Sequence, residues 1–290
     1  MGMKRWLPGL AALTVVALGS GLQTPAQSRG ARRRLQAITD ISGPIPENAR
    51  VLDLGCGHGD TVRELRSLGY EAYGYDVYPT YGGVDYRRSS RAKDLYDRRI
   101  LRYVTLEDYR APFDDDFFDI VISDEVFEHV ADYPGVLREL HRVMRPGGRS
   151  LHLFPSRYRV IEPHCFVPFA SVVQSYWWLK VWATLGIRNA NQKGLDATQT
   201  ALWNQRSLTT GTNYLTKGQI RKHVASVFGN CSFEELTALK HSGVGRFHPL
   251  IRVVPLSGAV ISAMRSRALY FEKSLSTVRA AAAAVPAVAS

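Results

Sequence analysis

Three glycines at alternate positions, Gly55, Gly57 and Gly59, stand directly after the apolar run Val51-Leu-Asp-Leu54, and no other stretch constrains the fold so tightly. The run reads as a buried strand carrying Asp53 near its end. The residues from Thr61 to Leu68 read as a helix. A strand, a tight glycine turn and a helix start let a ligand approach bare backbone at the positive end of the helix. Beyond Gly59 a second strand-like run, Ala72-Tyr-Gly-Tyr-Asp76, closes on Asp76. An acidic side chain at that place can accept from both hydroxyls of a ribose. The pair of features describes a ligand with a nucleoside in it.

Dinucleotide sites favour G-x-G-x-x-G, because the third glycine lets the helix pack close to its strand. Here the position of that third glycine holds Asp60. The spacing is G-x-G-x-G, with Asp53 two residues upstream. This resembles the first motif of the class I S-adenosylmethionine (SAM)-dependent methyltransferases, type 11-like, which act on small-molecule, glycan or lipid acceptors. The resemblance runs in order from about residue 48 to 155. Tyr109-Arg-Ala-Pro-Phe-Asp-Asp-Asp-Phe-Phe-Asp-Ile-Val-Ile-Ser123 is similar to the family's loop and fourth strand. Asp124-Glu-Val-Phe-Glu-His-Val130 is similar to the segment after that strand. Leu137-Arg-Glu-Leu-His-Arg-Val-Met-Arg-Pro-Gly-Gly148 is similar to its helix and the turn before strand five.

The resemblance implies a Rossmann-like, doubly wound α/β fold. Its mostly parallel seven-stranded sheet has an antiparallel final strand inserted between strands five and six. It implies SAM as cofactor. Asp53, Gly55, Cys56, Gly57 and Gly59 would cradle the methionine portion, and Asp76 with Val77 would meet the ribose. Glu107 or Asp108 would meet the adenine amino group, the choice between them being open. Ser123 and Asp124 would border the same pocket. For Cys56 the plain reading is a small packing residue inside the turn. Two readings from other classes stand beside the enzyme: a non-catalytic protein that keeps the fold and binds SAM, and an NAD-dependent oxidoreductase, which Asp60 disfavours.

Strand-like segments fall at 50–54, 71–76, 101–105, 118–123 and 150–154, with helix-like segments at 61–67, 88–99 and 133–144 between them. Alternation of this kind implies βαβ units and a parallel sheet. Asp53, Asp76 and Asp124 all fall at strand ends, so they can converge on one pocket. In the second half, residues 216–228 read as a helix with Thr216 as N-cap, 231–240 as strand six and 267–273 as the last strand. Residues 156–213 form an insertion after strand five that holds four of the five tryptophans. Segments of this length usually act as lids or binding loops. Val172, Tyr176, Leu179 and Ala183 equally fit one face of a packed helix.

The domain is expected over residues 36–275, between an N-terminal segment 1–35 and an Ala-rich tail 276–290. Trp6 to Leu22 is apolar after a basic start, and Ala26-Gln-Ser28 resembles a cleavage site. The segment thus looks like a secretory signal or, acid-poor and arginine-bearing, an organelle transit peptide. SAM is a cytosolic metabolite, so export would separate the enzyme from it. A cytoplasmic protein with peripheral membrane contact through this segment is a compromise, and an over-called start is another. The net charge of +11 is partly local. Lys4, Arg5, Arg29, Arg32, Arg33 and Arg34 face Asp40 alone in the first 40 residues. A second basic run spans Arg87 to Arg102 and reads first as a solvated helix face. An anionic acceptor or a membrane surface ranks next, and nucleic acid, with no module to support it, last. The three cysteines give no disulfide framework and no paired metal-ligand spacing, so no metal is expected.

Methyl transfer from a sulfonium asks the protein mainly to align the reactants and exclude water. A hydroxyl acceptor also benefits from a base. His129, four residues after Glu125, reads first as a structural histidine of the fourth βα turn and second as an oriented base. Glu162-Pro-His164, soon after strand five, joins a carboxylate and a histidine beside the expected acceptor site. Glu162 and His164 are therefore the better candidates for base or acceptor binding. The acceptor itself, whether small molecule, glycan or lipid, is not legible.

Overall fold

The computed structural model describes residues 30–77, 80–81, 84–105, 109–242 and 264–275. Glu107, Asp108, the first 29 residues and the Ala-rich tail lie outside them. Seven strands form one sheet: β1 (Arg50–Leu54), β2 (Glu71–Asp76), β3 (Leu101–Tyr103), β4 (Phe118–Asp124), β5 (Met144–Pro155), β6 (Ser232–Phe233) and β7 (Ser266–Glu272). Their order is β3-β2-β1-β4-β5-β7-β6. All pairings are parallel except those of β7, which is antiparallel to both β5 and β6. This is the doubly wound sheet with an inserted antiparallel strand that the resemblance implies. The order in which strands are added reverses between β1 and β4, so a crevice opens at their carboxyl ends.

Helices cover both faces. On one side lie α1 (Gly30–Ser42), α2 (Asp60–Ser67) and α3 (Lys93–Asp97). Val62 and Leu65 of α2 and Ile38 of α1 bury against Val51, Ile120 and Ile122 of the sheet. The opposite side holds α4 (Tyr133–Val143) and α7 (Lys217–Phe228). Asp132 caps α4 by accepting from Gly135 N–H at 3.0 Å, and Leu137, Leu140, Ile220 and Val224 complete that core. Each such side chain, fully buried, contributes roughly 1.5–3 kcal/mol. Thr216 caps α7 as expected, accepting from Gln219 N–H.

Two elements differ from the sequence reading. Residues 231–240 do not form one strand. Only Ser232 and Phe233 pair with β7, and α8 (Glu235–His241) follows. Glu235 is buried and takes Lys217 Nζ at 2.7 Å, and the Leu-Thr-Ala-Leu run behind it suits a helix. The helix expected over 88–99 shortens to α3 and a 3₁₀ turn at Tyr86–Arg88. Several members of the basic run there are paired, Arg87 with Asp85, Arg91 with Asp60 and Lys93 with Asp97. Exposed pairs of this kind contribute about 0–1 kcal/mol each and mainly neutralise the patch.

The insertion has its own small core. Cys165, Val167, Ala170, Leu208 of α6 (Ala197–Gly211), and Leu179 of α5 (Tyr176–Thr184) pack together. Leu179 and Ala183 are buried as a helical face requires, whereas Val172 and Trp177 are exposed. Among the described residues no helix is long and apolar enough to cross a membrane. The boundary expected at residue 35 falls inside α1, where Ala31 and Arg34 are already buried.

Candidate functional site

The carboxyl ends of β1, β2 and β4 bring the predicted residues together. The turn after β1 leaves Gly55 at φ 73° and Gly57 at φ 47°, in the left-handed region that favours glycine. A Cβ at Gly55 would overlap Val126 Cγ2, whereas one at Gly57 would meet nothing within 4 Å. The first glycine is thus demanded by packing behind the turn, and the second faces open space. Asp76 ties the turn to β2 by accepting from Gly57 N–H at 3.0 Å. Gly59 is the N-cap of α2. Cys56 is buried with its side chain against Gly74, and burial pushes its thiol well above the usual range. That agrees with a packing residue. Val77 is half-buried against the core.

Asp53 lies sealed at the end of β1, 5% exposed. Burial pushes its carboxyl up to about 7, while the Arg34 guanidinium opposes the shift. Asp124, at the end of β4, pairs with Arg34 Nη1 at 2.8 Å, and Arg34 Nη2 donates to Thr61 Oγ1 at 3.2 Å. Arg34 is 5% exposed and its Nε is buried without a hydrogen-bond partner. A buried guanidinium paired with Asp124 and acting on the charge of Asp53 is the main feature that sequence reasoning missed, having counted Arg34 within the basic N-terminal run. The signal was present: Ala31, Arg34, Leu35 and Ile38 lie at helical i, i+3, i+4, i+7 spacing, so an arginine occupies the apolar stripe of α1.

Ser123 is fully buried, and its hydroxyl meets His152 Nδ1 at 2.8 Å. His152 had no evident context in sequence. Burial among Phe127 and Phe271 holds its imidazole down to about 3, below the ordinary 6.5. The unfolded chain therefore binds the proton first. The stability involved is complete above about pH 6.5 and falls as pH drops toward 3, with a limiting slope of about 1.4 kcal/mol per pH unit. Urea unfolding at about pH 7.5 and about pH 5 should show His152→Asn less acid-sensitive than the parent. Equal acid sensitivity in the two proteins would contradict this account of His152.

The candidates for acceptor chemistry sit beside Asp124. Glu125 has φ 54° and its N–H donates to Leu153 O at 2.8 Å, a strained geometry often found at functional sites. A 3₁₀ turn, Phe127–His129, follows. Glu125 and His129 therefore do not share a helical face as their spacing suggested, and the carboxylate beside His129 is that of Glu128. His129 Nδ1 donates to Gly211 O at 2.6 Å. His164 Nδ1 donates to Glu162 Oε1 at 2.5 Å, and the two histidine rings lie edge to face with centroids 5.0 Å apart. Glu162 is fully buried and also accepts from His164 N–H, Cys165 N–H and Tyr214 OH at 2.7, 2.8 and 2.7 Å. Burial alone would raise its carboxyl, but these four donors outweigh it and hold the group down to about 2. Tyr214 escaped sequence reasoning because nothing local marks it. A groove of about 630 Å³ lined by Pro44, Asp119, Arg145 and Lys273 lies at the opposite, amino ends of the strands, away from all these residues.

The chain matches the model of a family described as a methyltransferase domain over residues 26–207. It is 34% identical over 110 residues to a ubiquinone biosynthesis O-methyltransferase of Cereibacter sphaeroides, covering 38% of this chain and 42% of that one. It is 32% identical over 141 residues to a ubiquinone/menaquinone biosynthesis C-methyltransferase of Pectobacterium atrosepticum, covering 48% and 55%. The matches thus span about half the length of these relatives. A geranyl diphosphate C-methyltransferase from Streptomyces coelicolor aligns over 84% of this chain and 79% of its own, at 14% identity and a TM-score of 0.46.

Proposed function

The chain belongs to the methyltransferase-domain family, and on that premise we propose that it transfers the methyl group of SAM to an oxygen of a small-molecule acceptor. The cofactor supplies an electrophilic methyl on a sulfonium; the chain supplies binding, orientation and dryness. The observation that carries the cofactor reading is the strand-end constellation. Gly57 leaves open space beside bare backbone, Asp76 closes β2 facing it, and Arg34 is buried against Asp124 with an Nε that meets no hydrogen-bond partner. Arg34 suits the methionine carboxylate, Asp53 the methionine ammonium and Asp76 the ribose hydroxyls. Ser123, engaged by His152, shapes the floor.

Oxygen is favoured over carbon by the group on the acceptor side. A hydroxyl must lose its proton as it is methylated, and a His164 oriented through Glu162, which also accepts from Tyr214, supports a base there, since its Nε2 is not the nitrogen that meets Glu162. The exposed apolar residues of the insertion, Phe166, Phe169, Val173 and Trp177 among them, suit an acceptor whose hydroxyl is carried on an apolar body. The quinone-pathway relatives act at both oxygen and carbon by name, so they support a small-molecule acceptor without choosing the atom. Incubation with radiolabelled SAM and a panel of apolar phenols and alcohols tests the reading. Label in an alkali-stable ether is expected, and label found only on carbon would overturn the oxygen assignment.

Asp76→Ala tests the ribose assignment. It should weaken SAM binding by roughly 1–3 kcal/mol, the cost of leaving buried hydroxyls unpaired. Calorimetry showing unchanged affinity would remove Asp76 from the site.

A further inference from the structure

Two histidines and a glutamate from separate parts of the chain meet beside the end of β4. One ligand atom each from Glu128, His129 and His164 lies within 4.8 Å of the others. His129 Nε2 is 3.9 Å from Glu128 Oε1. Both rings are fixed through their other nitrogen. Gly211 O can only accept, so His129 carries its proton on Nδ1 and a lone pair on Nε2. Glu162 Oε1 faces the Nδ1 of His164 at 2.5 Å, which leaves Nε2 as the nitrogen turned away from that hydrogen bond. A backbone carbonyl or carboxylate on the far nitrogen is the arrangement that orients a metal-binding imidazole.

Glu128 is the member that needs an explanation. It is 1% exposed, and neither carboxylate oxygen has a hydrogen-bond partner. Burying a carboxyl group without donors costs several kcal/mol. Among the described residues no lysine or arginine bridges it, and its one ion-pair neighbour is His129. A proton-accepting role for His164 alone leaves Glu128 and the fixed lone pair of His129 unused. A cation bound between the three groups uses all of them.

We propose that Glu128, His129 and His164 bind one divalent transition-metal ion, with Glu162 as the outer carboxylate behind His164 and one coordination position open to the hydroxyl oxygen of the acceptor. The last part rests on the oxygen-transfer reading above. Two imidazoles and one carboxylate are a ligand set for zinc and its first-row neighbours, whereas magnesium prefers oxygen ligands and its own waters. Zinc bonds of about 2.0–2.2 Å require donor atoms roughly 3.3 Å apart, so side-chain shifts of up to about 1.5 Å close the triad. The side chain of His129 is one-third exposed, which leaves the open position reachable. A hydroxyl oxygen bound there ionises more easily. Its O–H bond breaks with the electron pair staying on oxygen, the proton leaves to solvent, and the metal keeps its oxidation state. His164 then acts as a ligand, and the metal activates the acceptor.

The test uses the full chain, stripped with EDTA, dialysed and titrated with zinc chloride in a calorimeter. One zinc site per chain is expected. Glu128→Gln and His129→Ala should weaken it at least 100-fold, and Glu162→Gln, which touches no metal, by roughly 10–100-fold. His223→Ala, a histidine outside the cluster, should leave it unchanged. Far-UV circular dichroism identifies any variant that has not folded, and the conservative Glu128→Gln keeps the volume of the site. Absence of a zinc site in the parent, or a site that survives all three cluster variants, overturns the proposal. Methyl transfer that is untouched by EDTA in a protein that binds no zinc would remove the metal and leave the methyltransferase reading standing. Zinc held at the triad by a protein that labels only carbon would leave the site standing and remove its role toward a hydroxyl.

Discussion

Replacing His164 with alanine is expected to reduce methyl transfer by roughly 10²–10⁴-fold while SAM affinity stays within about twofold. The split follows from where the side chain stands. It meets Glu162, Tyr214 and the ring of His129, and none of the residues assigned to the cofactor. Whether its Nε2 takes the acceptor proton or holds the ion that lowers the acceptor's pKa, the loss falls on the chemical step. Glu162 keeps its donors from Cys165, Tyr214 and the backbone of residue 164, so the loop should survive at a cost of about 1 kcal/mol. Single-turnover rates with labelled SAM, beside calorimetric SAM binding, check both halves. Full transfer by the variant would make His164 structural, and lost SAM binding would place it in the cofactor site.

Arg34→Ala should be the most damaging change on the cofactor side. It strands Asp53 under burial and Asp124 without its partner. The stability cost should be roughly 2 kcal/mol, below the 3–5 of a fully enclosed pair because Asp124 is 55% exposed. If the guanidinium also binds the methionine carboxylate, SAM affinity should fall by roughly 10–150-fold, the range for a hydrogen bond to a charged group. Truncation through α1 should act in the same way. A protein starting at Gly30 keeps α1 whole, including the Ala31 N–H that Glu64 accepts at 3.0 Å. One starting at Leu35 loses Arg34 and should resemble the point variant. Equal SAM affinity for the Gly30 and Leu35 proteins would show that Arg34 does not reach the ligand.

Much of the scaffold was legible because its signals are local. The glycine turn, the apolar runs of β1, β2 and β4 and the Thr216 cap each announce themselves within a few residues. What was missed is non-local or ambiguous. The Cys231–Lys240 stretch, apolar enough for a strand, turns helical because Glu235 is buried against Lys217 and Arg267, partners from distant segments. Tyr214 and His152 acquire meaning only through Glu162 and Ser123, which the fold brings to them. Glu162 and His164 could be singled out by spacing. Their convergence with Glu128 and His129 required the insertion to fold back over the end of β4. Arg34 was readable from the stripe of α1 and was obscured by the basic leader around it.

The central claim, a site built for SAM and used for transfer, is tested most directly by titrating the parent protein with SAM and with NAD, then supplying labelled SAM with the acceptor panel. SAM binding in the micromolar range, corresponding to about −8 kcal/mol, no NAD binding and transfer of label to an acceptor are predicted. NAD binding without SAM binding would contradict the account at its root, and SAM binding with no transfer across the panel would leave a protein that holds the cofactor without using it.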